Sequence, residues 1–171
     1  MKLKIALAAF ALVVACAASA KAQSDFPWEE YKARTLAEVV KRNTEDVAAG
    51  NARNDGKVGV LMSGDPLYSR VRVTYTGTTR KLPPARKAHL EEWSKTFGVK
   101  PEILALFDTE MLVVECSAEH WLPVQRQTLP HFERELKKGD MVTLYTMFAG
   151  GRKIDGTWNW FFLVNEFQAY R

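Results

Sequence analysis

Apolar positions along this chain change period from one stretch to the next, and the clearest pattern lies near the end. Between Asp140 and Tyr170, the runs Met-Val-Thr-Leu-Tyr-Thr-Met-Phe and Trp-Asn-Trp-Phe-Phe-Leu-Val-Asn-Glu-Phe flank a segment carrying Gly150, Gly151, Asp155 and Gly156. β-Branched and aromatic runs around such a segment predict a β-hairpin. Both runs are apolar in both alternating sets. Val142, Leu144 and Phe148 interleave with Met141, Tyr145 and Met147, and Trp160, Phe162 and Val164 interleave with Phe161, Leu163 and Phe167. Strands of that kind lie deep in a sheet or barrel.

Upstream the period is helical at first. Trp28, Tyr31, Leu36, Val39 and Val40 recur at helical spacings between Ser24 and Asn43, Pro27 suits a first turn, and Thr35-Leu-Ala-Glu38 matches a capping box. One broken helix or two short ones follow from this. Residues 44–57 are polar and small, which predicts a linker. Lys57–Met62 reads as a short edge strand closed by the turn Ser63-Gly-Asp-Pro66.

Tyr68–Thr76 alternates strictly, with Val71, Val73 and Tyr75 on one face and Arg70, Arg72, Thr74 and Thr76 on the other, and the strand resumes over Arg80–Leu82. Pro83-Pro84 ends it. Ala85–Phe97 places His89, Trp93 and Phe97 on one helical face beside Leu90, with Gly98 at the C-terminal cap, and Pro101–Phe107 adds one or two helical turns. Glu110–Cys116 is strand-like, Ser117–His120 a turn and Trp121–Gln125 a return strand. Thr128 caps a helix with the stripe Leu129, Phe132 and Leu136, and Gly139 stops it.

From Tyr68 the order is strand, helical insertion, strand, strand, helix, strand, strand. Without the insertion this is the order of an OB-fold. The expected class is therefore α+β: a five-stranded OB-like barrel, or alternatively an SH3-like one. It has a helix between strands 3 and 4, a helical insertion at about residues 84–107 after strand 1, and an N-terminal helix. In such a barrel the second apolar face of the last two strands is covered by the helices of residues 24–43 and 85–107. Gly139-Asp-Met-Val-Thr-Leu-Tyr and Trp160-Phe-Phe-Leu-Val-Asn-Glu-Phe resemble closing strands in small secreted bacterial OB-like proteins of unknown function. The resemblance covers roughly 100 residues at fold level and carries no catalytic motif.

The first 22 residues change the functional picture. Lys2 and Lys4 precede an apolar run from Ile5 to Ala15, and Ala18, Ser19, Ala20, Lys21 and Ala22 form a small-residue tail. This is the pattern of a secretory signal peptide. The apolar run is short of the roughly 20 residues needed to cross a bilayer, and no second one follows. The division expected is a signal peptide at 1–22, an N-terminal helix and loop at 23–66 and a barrel domain at 67–171. Cleavage near Ala20 or Ala22 makes the protein periplasmic or secreted, whereas Val13-Val14-Ala15-Cys16 resembles a lipobox and implies a form anchored at Cys16. Loss of Lys2, Lys4 and Lys21 lowers 24 basic residues to 21 against 20 acidic ones. A chain so near neutrality is a poor nucleic-acid binder. Cys116 is then the only cysteine, so no intramolecular disulfide forms.

Candidate chemistry is sparse. Cys116, Glu119 and His120 flank one predicted turn, but no zinc spacing is matched and a thiolate nucleophile needs an orienting third group. No hydrolase, metalloprotease or nucleotide-binding motif occurs. No catalytic residue, metal or cofactor is assigned. Trp158, Trp121 and Tyr145 offer aromatic planes that suit sugar rings or apolar peptide side chains, and Arg70 and Arg72 project together from a polar strand face toward an anionic partner. These five are the expected ligand-binding residues. The function they suggest is a non-enzymatic binding or assembly module of the bacterial envelope, contacting a protein or glycan through the barrel face and the loops around Gly150–Gly156. An envelope enzyme with a convergent site at His120, Cys116 and Glu119 is the alternative.

Overall fold

A computed structural model describes residues 26–53 and 58–170, apart from the side chains at 64–66. The expectations placed on residues 1–22 lie outside the described residues. Within them, Phe26–Glu30 belongs to one unit and Tyr31 onward to another. In the first, the rings of Phe26 and Trp28 stand 4.4 Å apart and Trp28–Glu30 makes a single 3-10 turn. Trp28 therefore does not share a helix with Leu36.

The second unit runs β1 (Lys32–Ala33), α1 (Leu36–Arg53), β2 (Val60–Lys81), α2 (Pro84–Phe97), α3 (Pro101–Leu104), β3 (Thr109–Glu115), β4 (Ala118–Val124), α4 (Leu129–Glu135), β5 (Met141–Ile154) and β6 (Thr157–Ala169). The class is α+β. Among the described residues no helix is long and apolar enough to cross a membrane.

The five-stranded OB-like or SH3-like barrel is not what these strands form. One six-stranded mixed sheet takes the order β1-β2-β3-β4-β6-β5, and β2 also pairs with β5. Three physical differences separate it from the expectation. Lys32–Ala33 adds a parallel edge strand against Ser69 and Arg70 of β2. Val60–Lys81 is a single strand, because irregularities between Met62 and Leu67 and between Tyr75 and Thr79 absorb the turn residues that seemed to divide it. Finally, β4 and β6 meet in parallel at one residue pair, Val124 with Val164, so backbone pairing alone leaves an open seam rather than a clearly closed barrel.

Helix α1 begins where the capping box placed a helix start. The Thr35 amide donates to Glu38 Oε2 at 2.8 Å and the Glu38 amide donates to Thr35 Oγ1 at 3.0 Å. The Leu36 and Ala37 amides donate to the two carboxylate oxygens of Glu115, at 2.9 and 3.0 Å. A buried carboxylate on β3 thus serves the positive end of a helix distant in sequence. The helix then continues through the polar stretch read as a linker, because Val47 is buried on the same side as Leu36 and Val39. Polarity there marks the solvated face.

The terminal hairpin is tighter than its glycines suggested. The turn is Asp155-Gly156 alone, with φ of +48° and +80°, closed by Ile154 opposite Thr157. Gly150 and Gly151 lie inside β5, next to a bulge after Phe148. A Cβ at Gly150 would stand 2.1 Å from the Leu61 carbonyl oxygen, and one at Gly151 would stand 2.5 Å from the Trp160 ring. These glycines let β2 and an indole approach the strand.

Two apolar clusters explain the doubly apolar hairpin. Phe148, Phe162 and Val164 join Val71, Val73, Met111, Val113 and Leu122, together with Leu36 and Val39 of α1 and Phe132 of α4. Phe161 and Leu163, on the opposite face of β6, pack with Ala149, Leu82, Phe107 and the α2 residues Leu90 and Trp93. Helix α1 belongs to the first cluster, not to the outer cover that was expected of it.

Gly150 combines a φ of +113° with no room for a methyl group, so Gly150→Ala is expected to lose more than about 2 kcal/mol in urea unfolding. Gly156→Ala, which has open space and only the turn strain, should lose less. Equal losses would contradict the assignment.

Candidate functional site

Strand alternation puts Arg70 and Arg72 on the solvated face of β2, and the antiparallel register sets Tyr145 of β5 opposite Arg70 and Thr143 opposite Arg72. With Gln168 and Tyr170 they line a shallow depression of about 250 Å³. The Tyr145 ring is buried and its hydroxyl donates to Gln168 Oε1 at 3.1 Å. Burial raises its pKa, with the Arg70 charge pulling the other way. The Arg72 guanidinium lies 4.5 Å from the Tyr170 ring centre, and the Tyr170 hydroxyl is 2.7 Å from Thr143 Oγ1. Among the described residues neither arginine forms an ion pair, so both charges face outward beside polar oxygens.

The other two expected residues are elsewhere. Trp121, opposite Leu112, lies 3.9 Å beneath the Arg80 guanidinium. Trp158, opposite Lys153 near the hairpin end, stacks on Trp160 with centroids 5.1 Å apart and planes 13° apart. The structure thus brings together Arg70, Arg72 and Tyr145, while each tryptophan stands apart.

The turn around Cys116 has its own geometry. Cys116 and Ser117 take φ of +47° and +70°, a two-residue turn between Glu115 and Ala118, and the thiol residue is exposed. His120 sits on β4 opposite Val113 and Glu119 opposite Val114. Burial lowers the His120 pKa, opposed by Glu115, and its Nε2 is buried without a hydrogen-bond partner. Both Glu115 oxygens are engaged by α1, so no free carboxylate orients the imidazole. Among the described residues no group of three or more His, Cys, Asp or Glu is placed to hold a metal ion.

Sequence reasoning missed the most heavily bonded polar cluster. Arg86 of α2, almost fully buried, reaches into the β4–β6 seam. Its Nε donates to Glu110 of β3, its Nη2 to the Trp121 carbonyl of β4 at 3.0 Å, and its Nη1 to Asn159 Oδ1 of β6 at 3.2 Å. Arg80 approaches Glu110 from the other side at 2.9 Å, and Glu110 has no exposure. Burial lowers the Arg86 pKa, and Glu110 opposes that shift. One helical turn on, His89 is fully buried and stacks on Phe161 at 4.1 Å. Neither ring nitrogen has a partner in good hydrogen-bond geometry, although the Ala149 backbone lies close enough to act on the ring. Burial, with the Arg152 charge acting in the same direction, lowers the His89 pKa from 6.5 to about 4, against weaker opposition from Glu92 and the Ala149 backbone. The only signal in the sequence was a carboxylate at Glu110 within an apolar strand.

No protein-family model matches this chain, and comparison with curated proteins finds none that matches it.

Removing the Glu110 carboxylate leaves Arg86 buried and uncompensated, so Glu110→Ala is expected to lose about 3–5 kcal/mol in urea unfolding, and adding Arg86→Met should recover part of the loss. No recovery would separate the two residues energetically. His89 has a lowered folded-state pKa, so the unfolded chain takes up the proton first as pH falls. Stability is full above pH 6.5, declines toward pH 4 by roughly 3 kcal/mol and is constant below that for this group. His89→Phe should therefore flatten the shift in urea midpoint between about pH 7.5 and about pH 5; an unchanged pH dependence would exclude His89 as its source.

Proposed function

We propose that this chain is an exported, non-enzymatic binding module of the bacterial envelope, periplasmic or secreted after cleavage near Ala20 or Ala22. Its partner carries anionic groups that the Arg70–Arg72–Tyr145 depression accepts. The observation that supports this reading is convergence: two guanidinium groups without ion-pair partners among the described residues share one depression with the Tyr145 and Tyr170 rings. Arginine forks pair well with carboxylates and phosphates. The neighbouring Thr143, Gln168 and Tyr170 oxygens and amide suit hydroxyl-rich molecules, which favours an acidic glycan of the envelope over an acidic protein segment.

Binding of the mature chain to immobilised polygalacturonate, amylose and polyglutamate tests this. Retention on polygalacturonate alone is the expected result, with Arg70→Ala plus Arg72→Ala weakening it at least about tenfold and Trp158→Ala leaving it unchanged. Retention on polyglutamate instead would redirect the reading to an acidic protein, and indifference to the arginine pair would end it. Intact mass of the exported protein should show an unmodified start near Lys21 or Gln23; an acylated Cys16 would replace the soluble form with an anchored one.

A further inference from the structure

A second cavity lies farther along the same face of β2 and β5 as the arginine depression, where Tyr68 pairs with Met147 two positions from the pair Arg70 and Tyr145. Between α2, the segment leading through α3 and the outer face of β5 and β6 is a cleft of about 310 Å³. At roughly 30 Å³ per water it has space for about ten water molecules, and it falls within the range typical of small-molecule sites. Its walls are apolar: Trp93, Phe97, Val99, Phe107, Met147 and Leu163. Trp93 is held in place by donating its indole N–H to the Ser63 carbonyl at 2.9 Å. Phe97, 40% exposed, and Ile103, 49% exposed, flank the cleft and are two of the five large apolar groups exposed among the described residues.

Polar groups converge on one part of the wall. Gln125 donates from Nε2 to Asn165 Oδ1 at 3.3 Å, and Asn165 donates from Nδ2 to the Tyr31 hydroxyl at 3.0 Å. Each amide nitrogen retains a second N–H. Tyr68, whose ring packs on Tyr31 at 4.9 Å, also lines the cleft, and its hydroxyl makes no hydrogen bond among the described residues. None of the described residues lining the cleft carries a charge. An ionised ligand would be desolvated there without a counter-charge, whereas an apolar body would displace poorly bonded water and a neutral polar end would meet amide and phenol groups.

We infer that this cleft is a binding site for an uncharged small molecule with an aromatic or branched apolar body and one amide- or hydroxyl-type end. The apolar body lies against Trp93 and Phe107, and the polar end meets Gln125, Asn165 and Tyr68. The site has its own lining residues but adjoins the arginine depression, because the Tyr31 ring lies 4.9 Å from the Tyr68 ring of the cleft and 5.4 Å from the Tyr145 ring of the depression.

Three ligands of one shape test the inference on the full mature chain: 2-naphthamide, which is neutral, 2-naphthoate, which is anionic, and 2-naphthamidine, which is cationic. Calorimetry serves as the readout, with the tryptophan fluorescence change compared between the parent chain and Trp93→Phe. The amide is expected to bind at least about tenfold more tightly than either ion. Val99→Trp, which fills the cleft, should abolish amide binding. Ile103→Asp, at an exposed position, should weaken the amide and shift the preference toward the amidine, while Arg70→Ala plus Arg72→Ala should change nothing. Equal binding of all three compounds, binding insensitive to both cleft substitutions, or no binding of the amide would each overturn the assignment.

Discussion

The guanidinium of Arg86 holds together a place where the sheet does not hold itself. β4 and β6 run parallel and touch through Val124 and Val164, with the Gln125 amide donating to the Val164 carbonyl at 3.1 Å. Upstream of that contact the link between them is a side chain, since Arg86 bonds a β4 carbonyl and a β6 amide oxygen at once. A planar fork with five donors can span such a gap, which no monovalent polar group does. Burying that charge is costly unless it is paired, and Glu110, gripped also by Arg80, is the pair.

The position of α2 follows from this anchor. With Arg86 fixed in the seam, His89 is carried onto Phe161, Leu90 and Trp93 onto the outer face of β6, and Glu92 to the Arg152 side chain of β5. That cover makes burial of both faces of β6 possible. It also leaves the uncharged cleft where α2 and α3 diverge from the sheet. On the same outer face, β2 and β5 pair over a long register, which keeps Arg70, Arg72 and Tyr145 adjacent. Along that one face the arginine end offers charge and little depth, and the Tyr68 and Met147 end offers depth and no charge among its described residues.

Buried carboxylates do much of the long-range assembly. Glu115 reaches α1, 79 residues earlier in the chain, and Glu110 reaches Arg86, 24 residues earlier. Glu115 shares the inward face of β3 with Met111 and Val113, and Glu110 the opposite face. Without their partners both residues would look like breaks in an otherwise apolar strand. In the folded chain they tie β3 to one helix on each side of the sheet.

Period, caps and punctuation were legible from the residues alone. The Thr35–Glu38 box, the Gly98 stop of α2, the alternation of β2 and the two strands around Asp155-Gly156 depend on neighbours within a few positions. The five-stranded OB-like or SH3-like barrel inferred from element order was not. Strand order does not say whether a parallel seam is closed by backbone or by a side chain, nor that bulges fuse two strand segments into one. The candidate site divides in the same way. Arg70 and Arg72 were visible as a pair on one strand face, but only pairing across the sheet set Tyr145 beside them and placed Trp121 and Trp158 elsewhere. Local sequence determined which residues face out, because side-chain alternation is a property of one strand. Tertiary structure decided which of them meet and which charges are buried, because register and helix docking are settled by groups dozens of residues apart.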